Sequence, residues 1–152
     1  MILALNAIAP RDLSLVLADL QLRISRESLW QDQVMTVAAH EGFTGVIQCS
    51  PAHGMVTTLV RALINHHVPL RMGTRVTADY WLWPENSGVN PATVDQWHAQ
   101  IYLTAPVAGG TRLAPGIGEV TQGDMIITPP GGVVSVSRVR SGRVVTLECL
   151  WT

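Results

Sequence analysis

The chain has 152 residues, of which 47% are apolar and 14% charged, with a formal net charge of −1. This length suits a single domain over 1–152, and so much core-forming material with so little charge excludes general disorder. The near-neutral balance excludes a field that would draw nucleic acid or an acidic membrane, and because all ten basic residues are Arg, Lys Schiff-base, Lys general-base and phosphate-loop Lys chemistry are excluded too.

The first residues show neither a basic stretch nor a long apolar run, so no signal peptide and no membrane-spanning helix is expected. Cys49 and Cys149 show no metal or redox spacing and are expected as free thiols of a cytoplasmic protein.

In chain order, Ile2–Ile8 is short and apolar and is broken at Pro10-Arg11-Asp12. Leu13–Ser25 fits two periods. Leu13, Leu15 and Leu17, then Leu20, Leu22 and Ile24, alternate as in a strand with a slip at Ala18-Asp19, while Leu13, Val16, Leu17, Leu20 and Ile24 draw a helical face. The alternation favours a strand, although Leu is a good helix former. Val34–Ala39 and Thr44–Cys49 read as strands. A helix follows at about 51–67, with Ser50 as N-cap and Pro51 at the first helical position. Met55, Val56, Leu59, Val60, Leu63 and Ile64 share its apolar face.

Leu70–Trp83 reads as one long strand and Pro84–Pro91 as a surface loop. Gln96–Thr104 is a strand with Trp97, Ala99, Ile101 and Leu103 on one face. Pro106–Gly118 is an extended loop, and Met125–Thr128 is a strand. Val133–Val139 and Arg143–Trp151 are expected to pair as a hairpin. Together these elements predict an α+β fold, mainly antiparallel β in a barrel or sandwich, with one amphipathic helix.

Several constellations bear on chemistry. Cys49 just before a helix start resembles the nucleophile of papain-like CHAP and NlpC-type cysteine hydrolases of cell-wall or peptide amide bonds, with Gly123-Asp124 opening a later strand. The expected His position is Gly, so only His53 or His98 is left as base. Among His40, His53, His66, His67 and His98 no metal-ligand spacing occurs, so no metal and no cofactor is expected. In a strand Trp81 and Trp83 face one side and Tyr80 the other. Tyr80, Trp81, Trp83 and Trp97 are therefore interface candidates, or the face of a small ligand- or carbohydrate-binding module. Arg112, Arg138, Arg140 and Arg143 are candidates for contacts with carboxylates of a neighbouring subunit.

Residues 120–151 carry a resemblance. Gly123, Asp124 and Ile126, then Val136, Val139 and Gly142, then Leu147 and Leu150, resemble the C-terminal half of small phage head–tail joining proteins. That resemblance implies a non-enzymatic virion subunit of a phage neck or tail. Such a subunit acts through homo-oligomeric or other virion interfaces, and is made in the host cytoplasm before assembly.

Overall fold

The computed structural model describes residues 1–26, 43–111 and 119–152. The expected strand Val34–Ala39, together with Trp30, His40 and Arg112, lies outside the described residues.

Six strands form a large antiparallel sheet: β1 (Ile2–Ala4), β3 (Ile47–Pro51), β4 (Thr77–Trp83), β6 (Trp97–Tyr102), β7 (Met125–Thr128) and β9 (Val144–Trp151), in the spatial order β1-β7-β6-β9-β4-β3. Three more form a small antiparallel sheet in the order β2 (Phe43–Thr44), β5 (Gly88–Thr93) and β8 (Val133–Val136). Helices α1 (Pro10–Arg26) and α2 (Gly54–His67) complete the described elements. The fold is mainly antiparallel β with two helices, and the strands form a sandwich rather than a closed barrel.

Three layers result, because the large sheet buries both faces. Ala78, Tyr80, Leu82, Ala99, Ile101, Leu147 and Cys149 pack with Val16 and Leu20 of α1 and Val56, Val60 and Ile64 of α2. On the opposite face Trp81, Trp83, Tyr102, Ile126 and Val144 pack against Val89, Val134 and Val136 of the small sheet. Burial of each such Val, Leu or Ile side chain stabilises the fold by about 1.5–3 kcal/mol.

Residues 13–25 are helical, not a strand. Pro10 opens α1, where its missing N–H costs nothing, and the Ala9 carbonyl accepts the Leu13 N–H at 2.9 Å. Val16 and Leu20 are buried one turn apart, whereas Leu15 and Leu22, which the alternation would have buried, are 51% and 58% exposed.

Helix α2 starts later than expected. Pro51 still belongs to β3 and pairs with Asp79. The N-cap is His53, whose Nδ1 accepts the Met55 N–H at 3.1 Å, rather than Ser50. Its buried stripe is Val56, Val60 and Ile64, with Leu59 and Leu63 partly buried beside it.

The long strand expected over Leu70–Trp83 is confined to Thr77–Trp83. The expected loop Pro84–Pro91 already contains the start of β5 at Gly88. The expected C-terminal hairpin does not form. β8 pairs with β5 in the small sheet, while β9 sits between β4 and β6 in the large one, so the chain changes sheets between them.

Candidate functional site

Alternation along the central strands sorts side chains to the two faces of the large sheet. On the face turned toward the small sheet, one end is apolar and the other is polar. The polar end begins with a row running straight across three neighbouring strands. Gln100 on β6 is opposite Glu148 on β9, and Glu148 is opposite Asp79 on β4. Gln48 on β3 extends the row by hydrogen-bonding the Asp79 carboxylate. His98 and Thr128, register partners on β6 and β7, lie beside it.

Such a row is costly to build in a core. A buried polar atom left without a partner forfeits its hydration, at about 1–3 kcal/mol each. His98 Nε2 meets Glu148 Oε1 at 2.7 Å, with both side chains 1% exposed. Glu148 Oε2, Gln100 Oε1 and Trp81 Nε1 are buried with no hydrogen-bond partner. The neighbouring aromatics differ in this respect. Trp83 Nε1 donates to Thr146 Oγ1 at 2.8 Å, and the Tyr102 hydroxyl donates to the Gly110 carbonyl at 3.0 Å. Among the described residues the unmet buried side-chain groups are therefore all on this face. The Trp81 ring lies 6.2 Å from the His98 ring between centroids.

The three orphaned atoms differ in chemistry. Glu148 Oε2 and Gln100 Oε1 accept, and Trp81 Nε1 donates. Glu148 is held by one oxygen and bare at the other. Burial pushes the Asp79 carboxyl above its ordinary value, and the Gln48 amide offsets part of that rise.

A hollow lies between the helices, lined by Leu15, Leu22, Met55 and Leu59 with Asp19 and His53. Asp19 Oδ2 there already accepts from the Tyr80 hydroxyl and the His53 backbone N–H, and Oδ1 is met by Arg23 Nε at 3.4 Å, so both oxygens are engaged.

In sequence, no family model matches the chain, and neither does any curated protein. In structure, a Pseudomonas putida prolyl-4-hydroxylase superposes with a TM-score of 0.65 at 14% identity, covering 99% of this chain and 90% of the other. The viral collagen prolyl hydroxylase of Paramecium bursaria Chlorella virus-1, solved with 2OG, gives 0.61 at 10% identity over 99% and 93%. An oxidoreductase of the 2OG-Fe(II) oxygenase family from Burkholderia pseudomallei gives 0.63 at 11% identity over 99% and 83%.

The chain shares the fold of these hydroxylase and oxygenase structures. This likeness overturns the phage head–tail joining resemblance, and with it the reading as a virion subunit of a neck or tail. The match that suggested that reading ran from a Gly-Asp strand opening through Val136, Val139 and Gly142 to Leu147 and Leu150. In the oxygenase fold Asp124 has a local structural task. Its carboxylate accepts the Asn6 N–H at 2.9 Å and the Thr121 N–H at 2.8 Å, tying the turn before β7 to the chain after β1.

The cysteine-hydrolase constellation is not assembled either. Cys49 lies within β3 rather than at a helix start, is 7% exposed, and its Sγ contacts the Ile47 carbonyl at 3.6 Å. Burial pushes its thiol up to about 12, far from a ready thiolate. His53 caps α2, and His98 is engaged with Glu148. Tyr80, Trp81 and Trp83 are at most 2% exposed, so they offer no surface face to a neighbouring subunit or a sugar chain. Half-buried Trp97 stacks on Trp151 at 5.7 Å. Arg138, Arg140 and Arg143 are exposed.

The oxygenase fold raises the question of iron. A non-haem Fe(II) oxygenase site uses two His and one carboxylate with open positions. Among the described residues no group of three His, Cys, Asp or Glu side chains could hold a metal. His98 and Glu148 meet, but no third described ligand joins them. The described residues do not fit the iron of the fold's namesakes.

Sequence reasoning missed Glu148, Gln100 and Asp79 as a set. The signal was present as polar residues at core-facing positions, in Trp97–Tyr102 (WHAQIY) and Val144–Trp151 (VVTLECLW).

Proposed function

We propose that the protein is a small-molecule enzyme that moves a proton at a carbon next to a carbonyl group, with Glu148 as the base. The observation that carries this reading is the state of the Glu148 carboxylate: one oxygen fixed by His98, the other bare and buried. A carboxylate oriented in this way suits general-base work.

The neighbouring atoms supply the rest of the reaction. Glu148 Oε2 takes a proton from the carbon next to the substrate carbonyl. The electron pair moves into an enolate, and the Trp81 Nε1–H donates to its oxygen, where charge develops. Return of the proton to carbon completes the cycle, with no oxidant or reductant needed. His98 acts as a positioning residue and Gln100 Oε1 holds a donor group of the substrate.

The test is deuterium incorporation. The full chain is incubated in deuterium oxide with a panel of small ketones and aldehydes, and NMR follows labelling next to the carbonyl. At least one compound should acquire deuterium with wild type and lose it with Glu148→Gln, typically by 100-fold or more for a lost base, roughly the general-base range. Absence of labelling across the panel, or equal labelling by Glu148→Gln, would overturn the reading.

The likeness over 99% of the chain favours a second reading, iron-dependent oxygenation of the kind named for the structural neighbours. The ligand set described above argues against it. Retention of stoichiometric Fe(II) through desalting, with consumption of 2-oxoglutarate, would decide for it.

A further inference from the structure

We propose that a hollow on the outer face of the small sheet binds a small phosphate monoester through Arg138 and Arg140. This site is separate from the polar row and does not depend on the proton-transfer reading.

Strand β8 sorts its side chains between two faces. Val134 and Val136 are buried in the core shared with the large sheet, so Ser135 lies on the outer side. There a hollow of about 530 Å³ is lined by Asn86, Asn90, Ser135, Ser137, Arg138 and Arg140. Small-molecule sites span about 300–1,000 Å³, so the space suffices. Two cations, two hydroxyls and two amides line it, and among the described residues no Asp or Glu does.

The arginines are held in place without being neutralised. Exposed Arg138 and Arg140 flank buried Val139. Backbone hydrogen bonds clamp this stretch from two sides. The Val139 N–H donates to the Ser87 carbonyl at 2.9 Å, and the Arg140 N–H to the Ala108 carbonyl at 2.7 Å. Two glycines make room for Arg138. A Cβ on Gly109, whose φ is +74°, would run into the Arg138 carbonyl, and one on Gly88 would lie 3.3 Å from the Arg138 Cγ. Among the described residues neither guanidinium has a hydrogen-bond or ion-pair partner, so both keep their donors for a ligand.

Charge and shape select that ligand. Alternate residues of an extended chain are about 6–7 Å apart, a gap that two Arg side chains close onto one group. A phosphate monoester carries about −1.5 to −2 at neutral pH and offers three acceptor oxygens. Guanidinium forks meet such oxygens by paired N–H···O bonds, and no carboxylate of the lining opposes the charge. Val89 and Pro91 offer a small apolar surface to the rest of the molecule, and no described aromatic ring is there to stack a base. Two arginines one residue apart form a point rather than a stripe, which suits a small molecule over a nucleic-acid backbone.

The experiment titrates the full chain with ribose 5-phosphate, inorganic phosphate, ribose and succinate while NMR follows the backbone amides. Ribose 5-phosphate and phosphate should saturate and shift amides within 86–90 and 135–140. Ribose should shift none, and succinate should bind about tenfold or more weakly than ribose 5-phosphate. Arg138→Ala and Arg140→Ala should each weaken ribose 5-phosphate about tenfold or more, the loss of a hydrogen bond to a charged group. Arg143→Ala, which removes an exposed arginine outside the lining, should leave binding unchanged. The wild-type series stands even if a variant fails to fold. The proposal is overturned by no saturation with ribose 5-phosphate, by equal affinity for succinate, by shifts spread evenly over the other exposed arginines, or by unchanged binding in both hollow variants.

Discussion

The Tyr80 hydroxyl donates to Asp19 Oδ2 at 2.6 Å, joining the middle of the large sheet to α1. Burial alone would raise the Asp19 carboxyl. The hydrogen bonds from Tyr80 and the His53 backbone, together with Arg23, outweigh it and hold the group below its ordinary value of 3.8. Because the folded value is depressed, the contribution to stability is present above 3.8 and is lost as pH falls through the lower folded value. Tyr80→Phe should cost about 1.5–3 kcal/mol at neutral pH, the range for a hydrogen bond to a charged group. Denaturant titrations at neutral and strongly acidic pH check this: the cost should shrink in acid, and an unchanged cost would count against the linkage.

Asp79 has the opposite sign. Its folded value is raised by burial, so its ionisation opposes folding once pH rises above the ordinary carboxylate value. Asp79→Asn should therefore raise the melting midpoint at neutral pH and give no gain in acid. Thermal melts at the two pH values read this directly.

Leu20 and Leu22 distinguish helix from strand in the first segment. Leu20 is 5% exposed and Leu22 58%. Leu20→Ala should cost about 2–5 kcal/mol, as buried Leu truncations do. Leu22→Ala should stay within about 0.5 kcal/mol. The alternating pattern puts both on one face, so equal losses would contradict the helix.

Cys49 and Cys149 are both buried, and burial raises both thiols. Iodoacetamide near neutral pH should label neither in the folded protein and both after denaturation, as mass spectrometry can count. Rapid labelling of native Cys49 would revive a nucleophilic role.

Much of this architecture was legible in the sequence where the apolar period is unambiguous. Ala99, Ile101 and Leu103 share a face as their alternation predicts, and Val56, Val60 and Ile64 give α2 its stripe. The failures have physical causes. In α1, Leu is so frequent that a two-residue period coexists with the helical one, and only the environment of Val16 reveals which face is inside. Ser50-Pro51 has helix-start chemistry but is still held in the sheet by Asp79. Between Val139 and Val144 the turn residues are those of a hairpin, yet the chain crosses between layers there, and turn chemistry does not encode which sheet receives the next strand. The site was hardest to see. Gln100 and Glu148 are far apart along the chain and become neighbours only through strand register.

The placement of β9 has a consequence for synthesis. β4 and β6 never touch as a pair; each binds one edge of β9, the last-made of the described strands. Until that segment leaves the ribosome, both strands present open edges, Gln100 and Asp79 have no Glu148 between them, and the chain resembles two half-sheets awaiting a wedge. Translation itself thus sets when the polar row comes into being, and a nascent chain stalled before Val144 should be a prime client for chaperones.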